Sequence, residues 1–399
     1  MNERVLVVGA SIAGLTAAHW LARHGFRPTV VERAVEPRSG GNGVDLRDDA
    51  VTVVERMGLL ERIRELGTDV HGMKFVDAAD RTIGRIDTRE LTSVEIMRGD
   101  LVALLREATD VEIRFGTAVR SLTPDADGEG GGDGDGVTVG FEHGPDLRFD
   151  LVVGADGMHS TVRRLAFGPE ERFIRHKDHY FAFADAADAA APAEDRWMTM
   201  FNAPGKMAGV WRSGNHARAK AYFVFRSEPL RYDYRDVDEH KRMVATAFAD
   251  SPWPPARALL DTALADPEFY FDALGQVRMD SWSAGRVVLI GDAAWCASPA
   301  AGAGAELAVV GAYRLAGELA AADGDHRVAF PRFEAAHRPL VARSQQIGPN
   351  VGVMIPRTET GLRLRNALVR LPVLKAAASL ERRMRARNAR PLPVYRRPV

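Results

Sequence analysis

Residues 4–33 read RVLVVGASIAGLTAAHWLARHGFRPTVVER, and this stretch decides the fold. Residues 5–8 are an unbroken apolar run, the pattern of a strand buried on both faces of a parallel sheet. Gly9, Ser11 and Gly14 follow, then an Ala/Leu-rich helix to about His24, then a second strand over 28–31 that ends in Glu32. Strand, tight turn, helix and strand form one βαβ unit with a dinucleotide fingerprint in its first turn. Gly9 permits the sharp turn, and Gly14 lets the helix lie close to the strand. The free N–H groups at the helix start, around Ser11, Ile12 and Ala13, act with the helix dipole to suit a pyrophosphate. Glu32 is placed to accept hydrogen bonds from ribose hydroxyls and to repel a 2′-phosphate. Ser11 stands where the fingerprint has its middle glycine, so the turn must tilt or the hydroxyl must join the binding. The unit alone leaves open whether the nucleotide is NAD, NADP or FAD.

Composition narrows the class. The chain has 399 residues, a formal net charge of −1 and 46% hydrophobic residues, which gives no sign of a nucleic-acid or acidic partner. Residues 357–397 carry twelve Arg/Lys against Glu359 and Glu381. The spacing of Leu362, Leu364, Leu368, Val369, Leu371, Leu374, Leu380 and Met384 predicts helices packed on the body. Cys296 is the only cysteine, so neither an intrachain disulfide nor a thiolate metal cluster is expected. The 11 histidines show no metal spacing. No apolar run has the length of a membrane span, and the chain opens directly on a strand, so a soluble cytoplasmic protein is expected.

Along the chain, the glycine-rich residues 37–44 read as a loop and 45–60 as a helix. Residues 70–87 alternate as a hairpin with Gly84 near its turn, and Asp100 is expected to cap a helix over 101–108. Strands are predicted at 111–115 and 119–122. Residues 125–136, DADGEGGGDGDG, read as an exposed hairpin tip rather than a calcium-binding repeat. From 172 to 277, alternating aromatic segments (HYFAFAD, RWMTMF, MAGVWR, AYFVF) predict an antiparallel sheet, with a loop at 185–195 and helices at 237–248 and 256–265. Residues 286–290 return to a buried strand, and a long helix is expected over 303–322. The fold class is thus α/β: a Rossmann-like parallel sheet with an inserted antiparallel sheet and C-terminal helices. The expected parts are 1–171 and 281–345 for the dinucleotide domain, 172–280 for the substrate sheet, and 346–399 for the helical end.

Three motifs in fixed order carry a family resemblance: GASIAG with Glu32 and Arg33, residues 150–164 (DLVVGADGMHSTVRR), and 285–318 (GRVVLIGDAAWCASPAAGAGAELAVVGAYRLAGE). Together they resemble the single-component FAD-dependent aromatic hydroxylases of the para-hydroxybenzoate hydroxylase fold, across most of residues 1–345. The segments GGNGVDL and EIMRGDL look most like tetracycline-modifying and aromatic-polyketide-tailoring members.

The resemblance implies FAD as cofactor and NADPH or NADH as co-substrate. It implies that O₂ adds to the flavin as a C4a-hydroperoxide, which hydroxylates a small aromatic or polycyclic phenol in secondary metabolism or antibiotic modification. Asp292 would meet a ribityl hydroxyl. Pro299, Gly302, Ala303, Gly304, Ala305 and Glu306 would lead past the flat ring into a helix start. Arg98 would reach the ribityl–phosphate region, Arg33 and the backbone at Val119 the adenine side, and Asp45 the ring. Asp156, with Gly157 and Arg163, looks structural and is implicated in the reductant's approach. Trp295 replaces the family's usual His, Ala303 its Gln or Lys, and Glu306 its Asn or Ser. Glu306 beside an anionic ring is expected to use its backbone only or to point away. Phe183, Met200 and Trp211 are candidates for the substrate pocket, no catalytic base is identified, and a monomer or homodimer is expected. The competing readings are a flavin dehydrogenase or reductase without oxygen insertion, and a catalytically silent flavin-binding protein.

Overall fold

The computed structural model describes residues 2–37, 41–87, 93–125, 136–186, 196–213, 219–346, 348–370 and 392–395. A six-stranded sheet runs in the order Ser283–Ala284, Val287–Leu289, Leu151–Gly154, Arg4–Val8, Arg27–Val31 and Glu112–Arg114. Arg4–Val8 pairs in parallel with Arg27–Val31 on one side and Leu151–Gly154 on the other. Its Val5, Leu6 and Val7 are wholly buried, as a strand covered on both faces requires. The helices Ile12–Arg23 and Gly304–Ala321 pack against each other and share one apolar core with this sheet.

The glycine turn depends on absent side chains. Gly9 sits at φ +110°, and a Cβ there would meet the Ala155 carbonyl oxygen at 2.4 Å. A Cβ on Gly14 would lie 1.9 Å from the Gly9 carbonyl oxygen, so the helix start touches the turn backbone directly.

A second, seven-stranded sheet has the order Tyr270–Val277, Ile174–Ala186, Ala219–Arg226, Lys206–Trp211, Trp197–Ala203, Gly72–Val76 and Thr82–Asp87. Neighbours are antiparallel except Trp197–Ala203 with Gly72–Val76, which run parallel. The two-residue period sends Tyr180, Ala182, Ala184, Phe223, Phe225 and Phe271 to one face, in one core with residues of the helices Val237–Phe248 and Pro254–Ala265. The other face carries Phe181, Phe183, Tyr222 and Tyr270 at one end and Phe75, Met200 and Met207 at the other. The helix Glu359–Val369 covers the second end. There Arg365 donates to Asn202 Oδ1 at 2.8 Å and lies 4.2 Å from the Phe75 ring centroid.

Several local expectations are corrected. Residues 45–60 are not one helix: Gly43–Leu46 is a strand antiparallel to Val94–Met97, and helices follow at Asp49–Arg56 and Leu60–Glu65. A partner far along the chain supplies the backbone bonds there, a long-range preference that local propensity does not carry. The next helix is Arg98–Glu107 with Met97 at its N-cap position, so Asp100 lies inside the first turn, where the dipole favours it. The hairpin turn falls at 77–81, held by Asp77 accepting from the Ala79 and Arg81 N–H groups, while Gly84 lies in a strand against Val369. Asp185 and Ala186 belong to a strand rather than a loop. Residues 126–135 of the expected hairpin tip, 187–195 of the Ala/Asp-rich loop, 38–40 of the first glycine loop and 371–391 of the basic end lie outside the described residues.

A charged bridge joins the two sheets. The His159 ring, just after the Asp-Gly motif, bonds Glu170 Oε1 at 2.9 Å and Asp272 Oδ1 of the second sheet at 3.3 Å. Burial disfavours a charged ring, but hydrogen bonds to Asp272 and Glu170 outweigh it and hold the His159 pKa up at about 10. With the folded value above the ordinary 6.5, the bridge stabilises fully below pH 6.5 and is lost as pH rises through about 10. His159→Gln is therefore expected to lower the melting temperature most at pH 6, with the difference from the parent shrinking toward pH 10.5; a constant difference would assign the loss to packing. Gly14→Ala is expected to cost about 1–3 kcal/mol through overpacking. It should also lower cofactor content at purification, read as melting temperature and bound flavin.

Candidate active site

The first helix, Ile12–Arg23, has Ser11 at its N-cap position, no side-chain cap and no acidic residue in its first turn. Its leading N–H groups are therefore left for an anion. The Ser11 hydroxyl accepts from Arg98 Nη2 at 2.8 Å. That contact joins the EIMRGDL segment to the turn and gives the serine a role a glycine could not fill. Glu32 accepts from the N–H of Ala10 at 3.0 Å and of Ala34 at 2.9 Å, which fixes its carboxylate against the turn. Arg33 is exposed beside it. The carbonyls of Glu32 and Ala34 accept from Thr117 and Gly116, which brings the chain entering Val119 alongside the end of this strand.

The third motif meets the same turn. A Cβ on Gly291 would lie 2.8 Å from the Ala13 Cβ, so Asp292 begins against the first helix. Asp292 is solvent-accessible, yet burial lifts its carboxyl above the ordinary range, with the Cys296 thiol and Arg98 acting the other way. Ser298 at φ +83° and Gly302 at φ +58° bend the chain around Pro299 into the helix Gly304–Ala321, whose N-cap residue Ala303 offers no side-chain cap. The space around Gly304 is open: a Cβ there would meet nothing within 4 Å. Ala303, Ala305 and Glu306 are buried. Trp295 lies in the core against Trp282 and His337, at ring distances of 4.5 and 4.7 Å.

Asp45 pairs with Arg47 Nη2 at 2.5 Å and faces Glu95 across the small two-stranded sheet. Glu95 accepts from the Thr68 hydroxyl at 2.5 Å, and burial lifts its carboxyl. The Glu95 charge acts on the Tyr222 phenol, which burial already holds above its ordinary value. Asp156 accepts from the Ser160 hydroxyl at 2.5 Å and the Val162 N–H at 3.1 Å, so its oxygens serve the local fold. Arg163 donates to the Ala293 carbonyl at 2.8 Å and the Met158 carbonyl at 2.5 Å, tying the second motif to the third.

The second sheet carries an aromatic patch. Tyr270 stacks on Phe183 at 4.8 Å, and Phe181 and Tyr222 flank them at 5.5 Å and 6.1 Å. The Tyr270 phenol is held well above its ordinary value mainly by burial and by Asp272, and the more distant charges of Arg98 and Asp292 also reach it. Of the sequence candidates, Phe183 lies in the patch. Met200 and Trp211 share its sheet face but are buried, and Met200 packs with Phe75 and Ile355. Tyr270, Tyr222, Asp272 and His159 were not singled out. The alternation of Tyr270 and Asp272 within FYFDAL carried a period-two signal, whereas nothing in the sequence paired Asp272 with His159. A separate cavity lined by Phe201, Pro204, Lys206 and Asp250 includes none of the motif residues. Among the described residues, no His, Cys, Asp or Glu group is arranged to hold a metal, and no helix is long and apolar enough to cross a membrane.

Residues 2–328 match the FAD binding domain family. The uncharacterized protein Rv1260 of Mycobacterium tuberculosis is 40% identical over 370 residues, covering 90% of this chain and 96% of the relative. A flavin-dependent monooxygenase of Legionella longbeachae is 35% identical, over 87% of this chain and 88% of its own length. The crystal structure of tetracycline destructase Tet(51) aligns with a TM-score of 0.80 at 33% identity, covering 92% of this chain and 96% of that one. The chain belongs to the FAD binding domain family and is one of its flavin-dependent monooxygenases.

Proposed function

We propose that this enzyme consumes NAD(P)H and O₂ to hydroxylate an aromatic or polycyclic phenolic substrate, a class that includes the tetracycline scaffold named for one of its structural relatives. The observation that carries this reading is the half-buried, mutually stacked patch of Phe181, Phe183, Tyr222 and Tyr270, whose Tyr270 phenol lies within the field of Arg98 and Asp292. A flat apolar ring fits against such a patch, and stacking adds about 0.5–1.5 kcal/mol per aromatic pair beyond burial.

The residues present suit FAD. Gly9 and Gly14 let the turn, the helix start and the second motif pack backbone against backbone, the space around Gly304 is open, and two helix starts lack side-chain caps. Ser11, Ile12, Ala13 and Arg98 would hold the pyrophosphate, Glu32 a ribose, and Arg33 with the Val119 backbone the adenine side. Asp292 would hold the ribityl chain, and Asp45 with Pro299, Gly302, Ala303, Gly304, Ala305 and Glu306 the ring. Asp156 is assigned to support of the fold. FAD, when bound, would supply the redox chemistry by which two electrons from NAD(P)H and one O₂ give one oxygen atom in the substrate and one in water. The chain's own work is to stack the substrate, exclude water and fix polar groups at the ring edge.

The reaction is tested with labelled O₂ and a panel of polycyclic phenols, tetracycline included. Phenol-stimulated NAD(P)H oxidation and a product carrying one labelled oxygen are expected. Label from water, or loss of two hydrogens with no oxygen gained, would overturn the reading. Asp292→Ala is expected to weaken FAD binding about ten- to hundredfold, the effect of losing one charge-assisted bond of about 1.5–3 kcal/mol. Titration of the apoprotein with FAD checks this, and an unchanged dissociation constant would reduce Asp292 to a local fold role.

A further inference from the structure

Asp272 is surrounded by donors. It accepts from His159 Nε2 at 3.3 Å, Tyr270 Oη at 3.1 Å, Tyr232 Oη at 3.5 Å and the Ala273 N–H at 2.7 Å. A carboxylate is acceptor-only, so both phenols must spend their single proton on it. His159 is itself fixed between Glu170 and Asp272 and stacks on Tyr234 at 4.5 Å, so the carboxylate cannot readily turn away. Glu170 is also held, at 3.4 Å, by the buried Arg163. What remains free on Tyr270 is an oxygen lone pair. Its ring stacks on Phe183, its phenol lies in the field of Arg98 and Asp292, and burial keeps it protonated.

We propose that Tyr270 is a specificity-determining residue whose hydroxyl, oriented by Asp272 and His159, presents only an acceptor to the pocket, so that the site selects aromatic ligands carrying a hydrogen-bond donor. Asp272 and His159 are positioning residues. The inference rests on the aromatic-substrate reading and adds to it a preference for a phenolic or enolic O–H over its ether.

The test uses FAD-loaded enzyme and matched probes: naphthol with methoxynaphthalene, and hydroxyphenanthrene with methoxyphenanthrene. Dissociation constants come from perturbation of the flavin absorption spectrum. The parent is expected to bind each phenol about three- to tenfold more tightly than its ether, the range of one net hydrogen bond. Tyr270→Phe should erase that ratio by weakening the phenol alone. Asp272→Asn provides an amide donor, which lets the Tyr270 proton turn toward the pocket. Its ratio should fall to one or invert in favour of the ether, an outcome that simple loss of packing does not produce. Retention of the parental ratio in Tyr270→Phe, or equal weakening of phenol and ether in Asp272→Asn, would overturn the assignment. If Asp272→Asn fails to fold, Tyr270→Phe decides alone. If the parent binds neither member of any pair, the aromatic-substrate reading fails and takes this inference with it, a result distinct from binding without discrimination.

Discussion

Arg163 is the interaction on which the site depends. Its side chain is fully buried, and such a charge is tolerated only when its donors are used. Nη1 and Nη2 are used, on the Ala293 carbonyl, the Met158 carbonyl and the Glu170 carboxylate, while Nε is buried without a partner among the described residues. The first bond fixes the short helical turn Asp292–Trp295 that Asp292 begins. The last orients Glu170 toward His159, and through it Asp272 and Tyr270. One guanidinium thus links Asp292, which on the proposed reading meets the cofactor, with Tyr270, which on that reading meets the substrate. Lysine would not replace it, because a point charge cannot serve three acceptors in one plane.

The same economy appears at the glycine turn. Gly14 brings its helix onto the Gly9 carbonyl, and Gly9 lies against Ala155, so the first and second motifs meet without side chains between them. Arg98 then reaches the Ser11 hydroxyl across the turn. The serine that departs from the fingerprint is a hydrogen-bonded member of the turn, which explains how the βαβ unit tolerates it.

What the sequence disclosed follows from what is local. The apolar run at 5–8, the glycine spacing, Glu32 and the Gly-Asp turn each carry their reason within a few residues, and the parallel sheet and the alternating second sheet were legible from them. Long-range pairings were not. The strand Gly43–Leu46 straddles the expected loop over 37–44 and the expected helix over 45–60, because its partner, Val94–Met97, is about fifty positions away in the chain. Asp272 and His159 are 113 residues apart, and neither type nor spacing announces their contact. Met200 and Trp211, candidates for the pocket, are buried, and the cover over Met200 comes from the C-terminal region, whose docking no periodicity reveals.

Charge is divided by chemistry across the cleft. On the proposed reading, the anionic parts of the cofactor face backbone N–H groups at two uncapped helix starts, whose partial charges need no counter-ion. On the same reading Glu32 and Asp292 would meet sugar and ribityl hydroxyls, while Asp272 accepts from two phenols. A carboxylate aimed at a phosphate would cost affinity, and a lysine aimed at a phenol would favour the phenolate. Tyr270 is held instead as a neutral phenol between an acid and an aromatic ring. In a half-buried cleft, where charges are poorly screened, that neutrality lets the pocket wall accept a flat apolar ring without burying another unpaired ion.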